Sequence, residues 1–365
     1  MLRGVRAVRA DAAAAGLRPV NLWFDEIGAA DRERLVEAAA GLGIDCLSGP
    51  DWVLWAGPLA RLAAAIRPGT SPLPTSLAER VGAALQDREP TAWRTAVGRV
   101  SLDRPVVVGI LNTTPDSFSD GGRFLDPAAA AARVDSMFED GMDVLDIGAE
   151  STRPGARPVP VDEEWSRLAP VLRWVVARHP GLPVSIDTTK AEVARRALAE
   201  GAWIINDVSG LRLDPEMSEV CAETGAGLIV MHSRGRMSEL ASYTHAPADD
   251  VVAAVGTELA EAVVRAEDAG IERDCLVIDP GLGFGKRPDQ TFALIRRLEE
   301  LAFLSLPIMV GPSRKRFLAG VGGDPDAATA GAAVEAFERG ARLFRVHAVG
   351  PTRAALDVAH ELRSH

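Results

Sequence analysis

The chain has 365 residues, 47% hydrophobic and 25% charged, so it can bury a sizeable core and has the length of one large domain plus a smaller one. A formal net charge of −11 argues against a general binder of nucleic acid or anionic membrane, which needs a basic face. No apolar run reaches the roughly 20 residues of a membrane span. Cys46, Cys221 and Cys275 stand far apart without metal spacing, the usage of reduced thiols in a cytoplasmic protein.

In chain order, residues 1–16 carry arginines but neither an apolar core nor a cleavage site, and read as a frayed leader. Residues 17–97 read as a small α/β domain plus a connector, with no catalytic constellation. "PVNLWF" is a strand, "AADRERLVEAAAGLG" an amphipathic helix stopped by glycine, and "IDCLSG" and "DWVLWAG" two further short strands. "PLARLAAAIR" and "LAERVGAALQ" read as helices on either side of the Pro/Ser-rich linker "PGTSPLPTS".

From residue 98 to 365 the pattern repeats. Eight short apolar runs, "VVVGIL", "DVLDIG", "PVSID", "WIIND", "GLIVMH", "CLVIDP", "PIMVG" and "LFRVH", alternate with helical stretches such as "AEVARRALAEG". That is the spacing of βα units whose parallel strands are buried on both faces. Eight units over this length predict a TIM (β/α)8 barrel. A doubly wound open sheet is the alternative; no G-x-G-x-x-G follows the first strand and there is no P-loop.

In such a barrel the chemistry sits at the C-terminal ends of the strands. Those ends carry Asn112, Arg153, Asp187, Asn206, Met231-His232, Asp279, Lys315 and Arg345 with His347. Any one of these polar groups alone would read as a helix cap or a loop fastener. Polar groups in phase with eight strands read as a site. Asp187, Asn206 and Asp279 suit a flat heterocycle rich in N–H donors, and Arg153, Arg345 and His347 suit a polyanion such as pyrophosphate. His347 could instead be a general base. Asn112 is a neutral oxygen donor suited to Mg²⁺ held mainly by phosphate and water. The glycines of "PGLGFGK" let backbone and Phe284 approach a ligand. Lysine occurs only at 190, 286 and 315, each just beyond a strand end, in a chain that otherwise uses arginine.

The motifs "ILNTTPDSFSDGG", "DIGAESTRPGA", "IDTTK", "INDVSG", "DPGLGFGK", "GPSRK" and "RVH", in this order over residues 104–362, resemble the dihydropteroate synthases, pterin-binding enzymes of folate biosynthesis. The resemblance implies a barrel, commonly dimeric, that joins 6-hydroxymethyl-7,8-dihydropterin diphosphate to 4-aminobenzoate with Mg²⁺, releasing pyrophosphate. It implies that Asn112 meets the metal-diphosphate and that Asp187, Asn206 and Asp279 bind the pterin edge, with Met231 packed on the ring. Lys315 would lie between pterin and aminobenzoate. Thr152 and Arg153 would sit on a mobile loop, and Arg345 and His347 on the diphosphate. Phe118, Pro154 and Phe284 would cage the aminobenzoate ring. Ser313 and Arg316 flank Lys315 as further substrate contacts, Arg316 through its side chain or its backbone N–H. Arg153, Lys315, Arg345 and His347 are the catalytic candidates.

Three departures from the family pattern stand out: "MHSRGRMSEL" after the fifth strand, Ala348 after "RVH", and Arg316 after Lys315. The rival readings are a methyltetrahydrofolate–corrinoid methyltransferase, a pterin-binding protein without turnover, and a lysine Schiff-base aldolase. The expected partners are the two small substrates and a second copy of the chain.

Overall fold

The computed structural model describes residues 4–9, 19–25, 28–48, 53–58, 73, 90–113, 127–151, 157–240, 242–246 and 250–364. Contacts divide the chain into two compact units: residues 1–89 with 298–305, and residues 90–297 with 306–365.

The first unit contains a four-stranded antiparallel sheet in the order β1 (Gly4–Arg9), β2 (Pro19–Asp25), β4 (Val53–Pro58), β3 (Asp45–Ser48), with helix α1 (Ala29–Leu42). Helix α1 stops at Gly43, whose φ of 63° is left-handed and costs glycine little. Phe24 and Trp55 meet edge to face at 5.1 Å, and the Trp55 indole donates to the Leu35 carbonyl at 3.0 Å. Within the leader expected over residues 1–16, the described residues form a strand. Gly4–Arg9 forms the edge strand, its backbone paired with β2 from Gly4↔Asp25 to Arg9↔Val20. A partner strand satisfies its peptide groups, and arginines suit an edge. The helices expected over "PLARLAAAIR" and "LAERVGAALQ" lie outside the described residues.

The second unit opens with a two-stranded hairpin, β5 (Ala92–Arg94) and β6 (Arg99–Ser101). All eight expected apolar runs then form parallel strands: β7 (Val106–Asn112), β8 (Val144–Gly148), β9 (Val184–Asp187), β10 (Ile204–Asp207), β11 (Gly227–Met231), β12 (Leu276–Asp279), β13 (Ile308–Val310) and β14 (Ala341–Val346). They close into one barrel, β14 pairing with β7. The helices used below are α2 (Pro127–Glu139), α3 (Val161–Arg178), α4 (Ala191–Ala199), α5 (Met217–Thr224), α6 (Val251–Asp268), α7 (Pro288–Arg296), α8 (Arg316–Ala319), α9 (Pro325–Glu338) and α10 (Val349–Ser364).

The unit boundary falls at 89/90, whereas the sequence suggested 97/98. Trp93 is the reason. It is 1% exposed and packs with Val106, Val108, Val144, Ile204, Ile229, Val277, Met309 and Leu343 from the barrel strands. Its indole N–H reaches the Cys275 carbonyl at 2.7 Å. Trp93 thus belongs to the barrel core near the strand starts, away from the end where the polar groups gather.

Candidate active site

Strand register sets the site. Asn112 pairs with Gly148, Gly148 with Asp187, and Asp187 with Asn206, so four neighbouring strands deliver these residues at one level of the mouth. Gly148 leaves the room its neighbour needs: a Cβ there would stand 3.3 Å from the Asp187 Cβ. One step around, Met231 is in register with Asp279.

Arg345 reaches across the opening. Its Nε donates to Asp146 Oδ2 at 2.6 Å and its Nη2 to Asp187 Oδ2 at 2.8 Å. Asn206 Nδ2 donates to the same Asp146 oxygen at 3.2 Å. Sequence reasoning assigns Arg345 and Asp187 separate tasks; the structure pairs them. Two of the five guanidinium N–H groups are spent on carboxylates, and three are left for an anion. Burial pushes Asp187 up to about 7; Arg345 pulls it back and Asp146 pushes it further up. Asp279 is likewise raised by burial, against the opposing charge of Lys315. The inner oxygens Asp146 Oδ1 and Asn206 Oδ1 are buried without a hydrogen-bond partner among the described residues.

Lys315 lies on the opposite wall. Its Nζ is 4.2 Å from the centroid of the Phe284 ring and donates to the Leu282 carbonyl. Burial lowers its pKa to about 8, with Asp279 holding it up and Arg345 pressing it down. Phe284 also packs against the buried cluster of Val208, Met231 and Leu240. Ser313 is buried; its hydroxyl accepts the His347 backbone N–H at 3.1 Å and stands 2.8 Å from His347 Nδ1. Burial, then the charges of Arg345 and Arg314, lower His347 to about 4. His347 is therefore a neutral ring near neutral pH. If the serine hydrogen sits on Nδ1, the ring N–H on Nε2 is a donor. Arg133 holds the His347 carbonyl, so Ala348 leaves this residue well anchored. Arg316 is exposed, with its guanidinium carbon 4.9 Å from the centre of the Tyr243 ring.

Asn112 is half-buried at the end of β7. Among the described residues no group of three His, Cys, Asp or Glu side chains forms a metal cage. One neutral oxygen at the mouth fits a Mg²⁺ that arrives with phosphate and keeps its waters. Phe118, Thr152, Arg153 and Pro154 lie outside the described residues.

Sequence reasoning missed Asp146 and the partners of several residues that it did name. Asp146 is a carboxylate in the otherwise apolar strand "VLDIG", and that incongruity was the available signal. Asp207 turns the chain after β10, accepting the N–H groups of Ser209 (2.8 Å) and Leu211 (2.7 Å). Lys190 donates to Glu150 at 2.6 Å and Glu164 at 2.5 Å, while Glu150 also accepts the Val159 N–H at 2.8 Å. Lys286 and His232 form a further buried pair, with Nζ 2.9 Å from Nδ1.

A closed parallel barrel with such a mouth, on strand ends where barrel active sites lie, is the architecture of a barrel enzyme. The chain belongs to the pterin binding enzyme family, which matches residues 108–347. It is similar to a dihydropteroate synthase of Mycobacterium leprae, 45% identical over 269 residues, covering 71% of this chain and 94% of the relative. It is also 47% identical over 260 residues to a probable bifunctional folylpolyglutamate synthase/dihydropteroate synthase of Haloferax volcanii, spanning 70% of this chain but only 30% of that relative's length. Among solved structures, a dihydropteroate synthase of Xanthomonas albilineans with 4-aminobenzoic acid superposes with a TM-score of 0.69 at 42% identity, covering 75% of this chain and 99% of the other.

Proposed function

We propose that this chain is a dihydropteroate synthase: it condenses 6-hydroxymethyl-7,8-dihydropterin diphosphate with 4-aminobenzoate, giving 7,8-dihydropteroate and pyrophosphate. The observation that carries the reading is the single level of Asn112, Asp187 and Asn206 across neighbouring strands, with Arg345 bridging Asp146 and Asp187 beside it.

Asp187, Asn206 and Asp279 take the donor-rich edge of the pterin, and Met231 packs on its face. The orphaned Asn206 oxygen is a ready acceptor for a ring N–H, which a buried acceptor needs. Donors reaching Asp187 and Asp279 favour their charged forms and offset the burial that raises both. The remaining N–H groups of Arg345, the His347 ring N–H and Arg153 receive the diphosphate as its charge grows in bond cleavage. Bound with the substrate, Mg²⁺ supplies charge neutralisation of the leaving group, and Asn112 is the residue to hold it. The carbon–oxygen bond breaks first, leaving a cationic pterin, and the aryl amine then attacks the methylene carbon. Its proton leaves with solvent, and the electron pair of the broken bond leaves on pyrophosphate. Lys315 lies between the two rings, and Phe284, Phe118 and Pro154 cage the aminobenzoate. Ser313 positions His347, while Thr152 and Arg316 complete the substrate contacts. Water must be kept from the cationic pterin, which it would otherwise trap.

The N-terminal sheet and α1 form a small α/β domain, and the barrel is a TIM barrel in the full sense. The enzyme is cytoplasmic and pairs as a homodimer. Val358 and Leu362, 61% and 77% exposed one helical turn apart on α10, support such an assembly. No helix among the described residues is long and apolar enough to cross a membrane. Chromatographic identification of dihydropteroate after incubation with both substrates tests the reading; its absence from folded, Mg²⁺-supplied protein would overturn it.

A further inference from the structure

Lys286 is 1% exposed and feels the charge of Asp279, but its hydrogen bonds among the described residues go elsewhere. Its Nζ stands 2.9 Å from His232 Nδ1, 3.0 Å from the Gly281 carbonyl and 2.9 Å from the Phe284 carbonyl, with the His232 carbonyl farther off at 3.4 Å. Burial lowers Lys286 to about 7, and in its protonated form its three N–H groups meet three close acceptors. That assignment makes His232 Nδ1 an acceptor, so its ring proton is on Nε2, 3.1 Å from Glu258 Oε2 on α6. Glu258 is held in turn by Arg234, whose Nε lies 3.0 Å from Oε1. Arg234 and His232 both belong to "MHSRGR", the run that departs from the family pattern.

The segment fixed by Lys286 is rich in glycine and free to move unless held. Gly281, Gly283 and Gly285 have φ of 66°, 75° and 59°, the left-handed region that an ordered loop must hold against glycine's freedom. A Cβ on Gly281 would come within 2.0 Å of the His232 carbonyl, so the loop lies directly on the strand bearing the relay. The loop's products face the site. Gly281 N–H donates to Asp279 Oδ1 at 2.7 Å, Leu282 offers its carbonyl to Lys315, and Phe284 lies under the Lys315 ammonium. The stem of Lys315 packs on Gly283, 3.2 Å from where a Cβ would be.

We infer that Lys286 is a positioning residue for the condensation: backed by the His232–Glu258–Arg234 chain, it locks loop 281–285 so that Phe284 and Lys315 meet the arylamine. The role rests on the proposed reaction, but it is a property of this loop whatever the substrate. Lys286 touches no substrate and acts only through the loop.

The test uses the full chain with Lys286→Met and Glu258→Ala, the latter at a partly exposed position. Two readouts are taken: steady-state kinetics, and amide hydrogen exchange of residues 281–285. The expected result is a KM for 4-aminobenzoate raised about tenfold in Lys286→Met and about threefold in Glu258→Ala. In both, kcat stays within about threefold and exchange protection of the loop falls. A purely structural role would lower the active fraction, reducing kcat with KM unchanged, and that pattern overturns the inference. If wild-type protein releases no pyrophosphate, the proposed reaction fails while the exchange experiment still decides: unchanged loop protection in both variants, or in Glu258→Ala should Lys286→Met not fold, overturns the positioning role.

Discussion

Replacing Lys315 by arginine keeps the charge and changes only its shape. The site leaves little room for that change. The Lys315 Nζ is 4.2 Å from the Phe284 ring centre, it donates to the Leu282 carbonyl, and its stem lies on Gly283 and beside Gly311, where a Cβ would be 3.8 Å from Nζ. A guanidinium is a planar fork about as broad as a small ring. It must either displace Phe284 or project into the space of the second substrate. A misplacement of about 1 Å in a positioned reaction can cost on the order of a hundredfold, and partial relaxation of the loop recovers part of it. The expected loss in kcat/KM is therefore at least about tenfold, or ~1.4 kcal/mol of transition-state stabilisation. Steady-state kinetics with both substrates, on protein shown to be folded by circular dichroism, reads it directly. Lys190→Arg should lose less, because Lys190 is spent between Glu150 and Glu164. Near-wild-type turnover for Lys315→Arg would refute the argument that this position needs a compact cation.

Asp279→Asn should weaken pterin diphosphate binding by about 1–3 kcal/mol, because an amide that keeps the Gly281 N–H bond turns a donor toward ring donors; calorimetry with unchanged affinity would contradict this. Trp93→Ala should lower unfolding free energy by about 3–5 kcal/mol in urea while kcat stays near wild type, since Trp93 packs in the barrel core and not at the mouth; a truncated chain begun at Gly98 would discard the same anchor. Glu258 is held down to about 2: burial alone would raise it, but hydrogen bonds from His232 and Arg234 outweigh burial. A carboxylate with a depressed folded pKa contributes stability above its unfolded value of about 4.3 and loses it as pH falls toward about 2. The Tm difference between wild type and Glu258→Gln should accordingly shrink over that window.

The barrel was legible because each buried strand is a short apolar run with a polar residue at its C-terminal end, and because eight runs recur at βα spacing. Asp187, Asn206, Asp279, Lys315 and Arg345 could be read as a set for the same reason. The pairing of Arg345 with Asp146 and Asp187 could not, since it joins residues 199 and 158 positions apart. Such pairing follows from closure of β14 onto β7, which local periodicity does not encode. Asp146 was passed over because it stands two residues before the strand end, inside the run counted as apolar. Gly4–Arg9 was missed for a different reason: an edge strand needs only backbone partners, so its side chains need not alternate. Trp93 looked like part of the first domain because tryptophans cluster before residue 100, while its packing is decided by strands far along the chain.

The central claim is that one mouth holds both substrates and releases pyrophosphate only when they meet. Pyrophosphate release should be measured with Mg²⁺ and the pterin diphosphate alone, with 4-aminobenzoate alone, and with both together. The account predicts one pyrophosphate per dihydropteroate with both substrates and release near background with either alone. Equal release with and without 4-aminobenzoate, or none with both, would contradict it.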